Sequence, residues 1–249
     1  MLRLFTLSLL TLVLTGRVGA QSAPPVSLDG TQQYDLKPTV NRREYRLYVA
    51  PPEGYAPGDT TRYPVYVLDG HFAFPAAVAA RNYLGIFGEL EDVIIIGVGN
   101  GEYSRDTWIT ERWRDYTPSA NLAADSSFAK QLTLPAGALR SGGGRDFLEV
   151  LRKDLIPFID STYRTSGDRG LTGHSLGGLF TAYTMFTAPD LFQRFGINSP
   201  ALWWNGSEMV SMESAFASTH TALSKRVLLT VGANEGASMV PPMTNSLVF

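Results

Sequence analysis

Three short runs of uninterrupted apolar residues constrain the fold of this 249-residue chain more than any other feature: Pro64 to Leu68 (PVYVL), Val93 to Val98 (VIIIGV) and Val227 to Val231 (VLLTV). A strand with one wet face alternates polar and apolar residues. Continuous runs are therefore expected to be buried on both faces, as in a parallel sheet covered by helices. One covering helix is expected between Arg145 and Tyr163, where Phe147, Leu148, Leu151, Leu155, Phe158 and Ile159 fall near helical spacing. Tyr45 to Val49 (YRLYV) reads as a further strand, stopped by Pro51-Pro52 and the turn-rich residues after it. A second helix, on the surface, is expected from Ser214 to Lys225. Strands alternating with helical segments imply one doubly wound α/β domain, mostly parallel, with helices on both faces.

Within that frame residues 169 to 186 form a strand-turn-helix pattern: Arg169-Gly170-Leu171-Thr172, then GHSLGG from Gly173 to Gly178, then the apolar LFTAYTMF from Leu179 to Phe186. GxSxG in this context is a nucleophile elbow, a turn so tight that side chains at Gly173 and Gly177 are expected to collide with backbone. Ser175 then projects at the carboxyl end of the sheet. The free N–H groups at the start of the next helix favour a developing oxyanion, and the Leu176 N–H is the expected first donor. The competing reading is a glycine-rich helix start whose serine only caps.

A serine hydroxyl needs a base, and the chain has three histidines, His71, His174 and His220. Asp69-Gly70-His71 follows PVYVL, where an α/β-hydrolase takes its second oxyanion donor, so the His71 N–H is the candidate. His174, at the second position of the elbow, is expected to turn its ring away from Ser175 and to be packed or hydrogen bonded. His220 precedes the last apolar run, on the expected surface helix. Glu235, just beyond VLLTV, lies where the orienting acid of a triad belongs in the order serine, acid, histidine; its alternative is a solvated loop residue.

Composition narrows the partners. Lys and Arg number 21 against 23 Asp and Glu, a balance without the basic excess of a nucleic-acid binder, so a small-molecule partner is expected. No cysteine is present, which excludes disulfides, thiolate chemistry and cysteine-ligated zinc, and three scattered histidines do not read as a metal site. The opening residues combine Arg3, an apolar run from Leu4 to Leu14 and the small residues Val18-Gly19-Ala20. Residues 1–20 are read as a secretory signal peptide, too short to span a membrane, giving an exported, periplasmic or secreted protein with no stable membrane anchor after cleavage. Residues 21–39 are read as a flexible lead-in and 40–249 as the folded domain.

Eight motifs occur in order across residues 40 to 235: YRLYVAPPEGY, YPVYVLDGHFAF, VIIIGVGN, RWRDYTP, GGGRDFLEVLRKDLIPFID, LTGHSLGGLFTAYTMF, FGINSPALWWN and VLLTVGANE. On them the sequence resembles the putative-esterase family of α/β-hydrolases, nearest its siderophore-esterase-like bacterial branch. The resemblance implies a serine esterase without cofactor or metal. Ser175 is then the nucleophile, the Leu176 and His71 N–H groups form the oxyanion hole, and Glu235 sits at or near the acid position. It further implies that Asp69, Gly70, Arg112, Arg114 and Asp115, with Ser199, Trp203 and Trp204, lie around the substrate cleft. For the arginines and tryptophans, structural packing and salt bridges beneath the loops stay open as the alternative.

The sequence departs from the family at one point. Family members carry a catalytic histidine some tens of residues after the acid, whereas fourteen residues follow Glu235 here and none is histidine. The expectation is a domain that is C-terminally incomplete, its last strand and helix absent and VLLTV left as an exposed edge. Two further readings remain: an acyltransferase with the same machinery, and a catalytically inactive ligand-binding homologue.

Overall fold

The computed structural model describes residues 27–56, 62–90, 93–233 and Glu235. Its centre is a seven-stranded sheet of β1 (Gln32–Leu36), β2 (Tyr45–Ala50), β3 (Tyr63–Leu68), β4 (Val93–Asn100), β5 (Gly170–His174), β6 (Arg194–Asn198) and β7 (Arg226–Thr230). The order across the sheet is β1-β2-β4-β3-β5-β6-β7. Pairings β1–β2 and β2–β4 are antiparallel; the other four are parallel. This is the mostly parallel sheet expected from the apolar runs.

Helices cover both faces. α1 (Gly70–Ile86) follows β3 and packs Phe74 and Val78 against Val67, Val93 and Ile95. It approaches so closely that a Cβ on Gly97 would stand 2.7 Å from that of Phe74. That contact explains the single glycine inside VIIIGV.

The other face carries α2 (Arg105–Asp115), α3 (Leu122–Gln131), α4 (Gly144–Val150), α5 (Ile156–Thr162), α6 (Leu176–Thr187) and α7 (Trp204–Thr219). A larger core joins Leu47, Ile94, Ile96 and Val98 of the sheet to Phe147, Leu151, Ile159 and Phe180 of these helices. A π-helical turn, Leu151–Leu155, links α4 to α5, so the helix expected over 145–163 is one path with a widened turn at its middle. Among the described residues no helix is long and apolar enough to cross a membrane, and no group of three or more His, Asp or Glu could hold a metal ion.

Three expectations change. β1 lies inside the stretch read as a flexible lead-in, and its polar sequence QQYDL is held as an edge strand by β2, with Tyr34 and Tyr163 hydroxyls 2.9 Å apart. The surface helix expected over 214–225 begins earlier and ends at Thr219, anchored by the buried Trp204 and kinked where Asn205, Gly206 and Ser207 take positive φ. Finally, β7 is not buried on both faces as its apolar run alone suggested, and matches instead the exposed edge expected for VLLTV. Among the described residues it ends the sheet, with Val227 45% and Leu228 62% exposed.

Candidate active site

Three neighbouring strands, β3, β5 and β6, each end in a non-glycine residue with positive φ: Asp69 (54°), Ser175 (58°) and Ser199 (39°). Such conformations cost of order 1–3 kcal/mol each and persist where the surroundings impose them. Their clustering at one end of the sheet marks the site before any side chain is considered.

At the elbow, Ser175 has φ 58° and ψ −115° between β5 and α6. Its N–H donates to the Asn198 carbonyl at 3.0 Å, while its own carbonyl accepts from Leu179 and Ala201. A Cβ at Gly173 would lie 2.5 Å from the carbonyl carbon of Gly177, so a side chain there is excluded. Gly177 itself differs from expectation. A Cβ there meets its neighbours at 3.5 Å, an ordinary contact; the second sterically required glycine is Gly178, 2.8 Å from the Asn198 carbonyl oxygen.

Ser175 lines a cavity of about 580 Å³ together with Asp69, Phe72, Trp108, Arg112, His174 and Asn198, among others. Gly70 and His71 open α1 at one side and Leu176 opens α6 at the other. As first-turn residues their N–H groups have no intrahelical acceptor. They are thereby available to an oxyanion. A Cβ on Gly70 would stand 2.7 Å from the Gly97 carbonyl carbon, so only glycine lets this loop sit on β4.

The side chains around Asp69 form a clamp. Arg112 Nε donates to Asp69 Oδ1 at 2.9 Å and its Nη2 to Oδ2 at 3.1 Å; Trp108 Nε1 donates to Oδ1 at 2.9 Å. Trp108 and Arg112 stand one turn apart on α2 and reach the same carboxylate from one helix face. The guanidinium also lies 5.0 Å from the Trp108 ring centroid and 5.7 Å from that of Tyr116, whose hydroxyl accepts the Asp69 N–H.

The histidines divide. The His71 ring is engaged at both nitrogens: Nδ1 with the Tyr48 hydroxyl at 2.7 Å and Nε2 with the Asn100 carbonyl at 3.0 Å. Since a carbonyl only accepts, Nε2 carries the proton and Nδ1 accepts from Tyr48. Burial lowers the His71 pKa from its ordinary value, and the bond to Asn100 opposes that shift in part. His220 closes α7, its ring 3.8 Å from that of Phe216 and parallel to it. His174, expected to be packed or hydrogen bonded, is instead exposed on the cavity wall, because β5 ends there and nothing described covers it.

Glu235 Oε1 accepts from the Ser199 hydroxyl and from the Gly232 N–H, the latter at 3.1 Å; Oε2 is buried with no hydrogen-bond partner among the described residues. Ser199 is thus committed to Glu235 and does not line the cavity. Four other residues that the resemblance implies around the cleft, Arg114, Asp115, Trp203 and Trp204, do not line the cavity. Arg114 is paired with the buried Asp115 at 2.7 and 2.9 Å, and Asp115 also accepts from the Tyr45 hydroxyl. Trp204 is fully buried against Trp113, and Trp203 stacks on Phe128. These are packing and salt bridges beneath the loops. Lining residues missed from sequence include Phe72, Trp108 and Asn198. Phe72 directly follows DGH and Trp108 precedes Arg112 by one helical turn, so both were within reach of spacing alone.

Comparison with known proteins agrees with this architecture. The family model described as "Putative esterase" matches residues 39–242. The ferri-bacillibactin esterase BesA of Bacillus subtilis (strain 168) is 27% identical over 227 residues, covering 89% of this chain and 75% of that protein. The apo-salmochelin esterase of Escherichia coli O6:H1 is 27% identical over 241 residues, covering 88% and 71%. Among solved structures, the BES protein from Bacillus cereus superposes with a TM-score of 0.74 at 28% identity, over 91% of this chain and 83% of that one. With its doubly covered, mostly parallel sheet and a family match spanning most of its length, the chain belongs to the Putative esterase family, carboxylic ester hydrolases of α/β-hydrolase fold.

Proposed function

We propose that this chain is a serine esterase acting on an ester-linked siderophore, with Ser175 as nucleophile. The observation that carries the reading is the strained Ser175, at φ 58° on the wall of a 580 Å³ cavity between two helix N-termini. Ser175 Oγ attacks the ester carbonyl, and the N–H groups of Leu176 and His71 hold the oxyanion. The serine proton passes to a base and then to the departing alkoxide, and water hydrolyses the acyl-enzyme. Glu235 suits the orienting acid, since its Oε2 is buried without a hydrogen-bond partner among the described residues and could accept an imidazole N–H. Export directed by residues 1–20 belongs to the same reading.

The base is the weak point, and one observation favours slow turnover or a ligand-binding role. His71 has both ring nitrogens engaged and His220 is stacked at the end of α7, so neither serves Ser175. Hydrolysis of a nitrophenyl ester by the native chain and by Ser175→Ala, with and without free imidazole, separates the readings. Imidazole that accelerates the native chain and not Ser175→Ala supports a nucleophile lacking its base. Equal rates for the two proteins under both conditions would falsify the esterase reading. Loss of the histidine of a serine-hydrolase triad costs about six orders of magnitude, so rescue has wide room to appear.

A further inference from the structure

The two arms that flank Ser175 are not joined by the sheet. The β3–β5 ladder runs from Val65↔Gly170 to Val67↔Thr172 and stops there. Beyond it, Asp69 gives its N–H to the Tyr116 hydroxyl and the Ser175 N–H goes to Asn198. Past the ends of the two strands, among the described residues, no main-chain hydrogen bond joins residues 69–71 to 175–176. Arg112 spans that gap. Its fork grips both Asp69 oxygens, and Nη2 also reaches the carbonyl of His174 at 3.4 Å.

We propose that Arg112 is a positioning residue: it fixes the spacing between the loop bearing the His71 N–H and the elbow bearing the Leu176 N–H. This rests on the reading of Ser175 as nucleophile. Two physical reasons support it. Asp69 sits in the left-handed region, so its loop needs an external restraint to keep that shape. Its carboxylate also lies against the elbow, with Oδ2 3.5 Å from where a Gly177 Cβ would stand. There an unpaired negative charge would oppose the oxyanion. The ion pair is largely shielded, with 14% and 13% of the two side chains exposed, and a bidentate guanidinium sets angle as well as distance. A lysine keeps the charge and loses the angle.

The test is labelling of Ser175 by a fluorophosphonate, followed by intact mass at several probe concentrations, which separates the maximal rate kinact from the binding constant KI. Arg112→Met is expected to lower kinact at least about tenfold, up to the roughly hundredfold that begins the range for losing an oxyanion donor outright, with KI within about twofold. Arg112→Lys recovers part of that loss. Arg194→Met removes a bidentate pair with Asp168 at the opposite end of the strands, and should lower the melting temperature without changing kinact. Unchanged kinact in Arg112→Met, or a fall matched by Arg194→Met, would overturn the proposal. If Ser175 is not labelled in the native protein, the esterase reading fails instead. Amide hydrogen exchange of residues 69–74 then decides the clamp: faster exchange in Arg112→Met than in Arg194→Met supports it, and equal exchange overturns it.

Discussion

β4 and β7 are nearly interchangeable as peptides, VIIIGV against VLLTV, yet every residue of β4 is buried while most of β7 faces outward. The difference is position. β4 lies between β2 and β3 with α1 on one face and the larger core on the other, whereas β7 has β6 on one side and, among the described residues, no strand on the other. An apolar run reports what a strand tolerates; the neighbours decide what it receives.

The contrast can be tested from its largest consequence downward. Ile96→Ala, at a fully buried β4 position, is expected to cost about 2–5 kcal/mol in urea unfolding, the range for truncating a core isoleucine. A smaller loss would mean that β4 is less enclosed than described. Next come the elbow glycines beside β5. Gly173→Ala forces backbone apart and should cost about 1–3 kcal/mol, while Gly177→Ala, with 3.5 Å of clearance, should cost well below that. Reversal of this order by thermal melting would refute the assignment of steric roles.

A pH effect follows on the α1 side of β4. The neutral His71 ring is favoured in the folded protein, so its folded pKa lies below the unfolded value of about 6.5. The unfolded chain then binds more protons as pH falls through that window, and stability declines. His71→Gln should flatten the slope as pH falls below about 6.5; an unaltered slope would exclude His71 as its source. Smallest is Leu228→Lys on β7, expected to shift unfolding by less than about 0.5 kcal/mol while reducing self-association in light scattering.

The legible parts of this molecule were those where one short segment carries its own reason. PVYVL, VIIIGV and the strand-turn-helix around GHSLGG read directly, because burial on two faces and a tight turn leave local composition marks. β1 did not, since QQYDL is polar and becomes a strand only because β2 offers it a partner. Trp203 and Trp204 show the opposite error: large aromatics implied by resemblance to face the cleft are used by Phe128 and Trp113 beneath it. Arg112 lines the cavity, but its partner Asp69 lies on another element, and no periodicity links them.

The central parallel pairing also sets when the site can exist. Val65 and Gly170 meet across about a hundred residues of chain, and Asp69 and Ser175 lie just beyond that junction. Closing so long a loop is entropically costly and kinetically slow. Reactivity at Ser175 is therefore a clock for folding, expected to appear in refolding only with the final phase, after helices and local turns have formed.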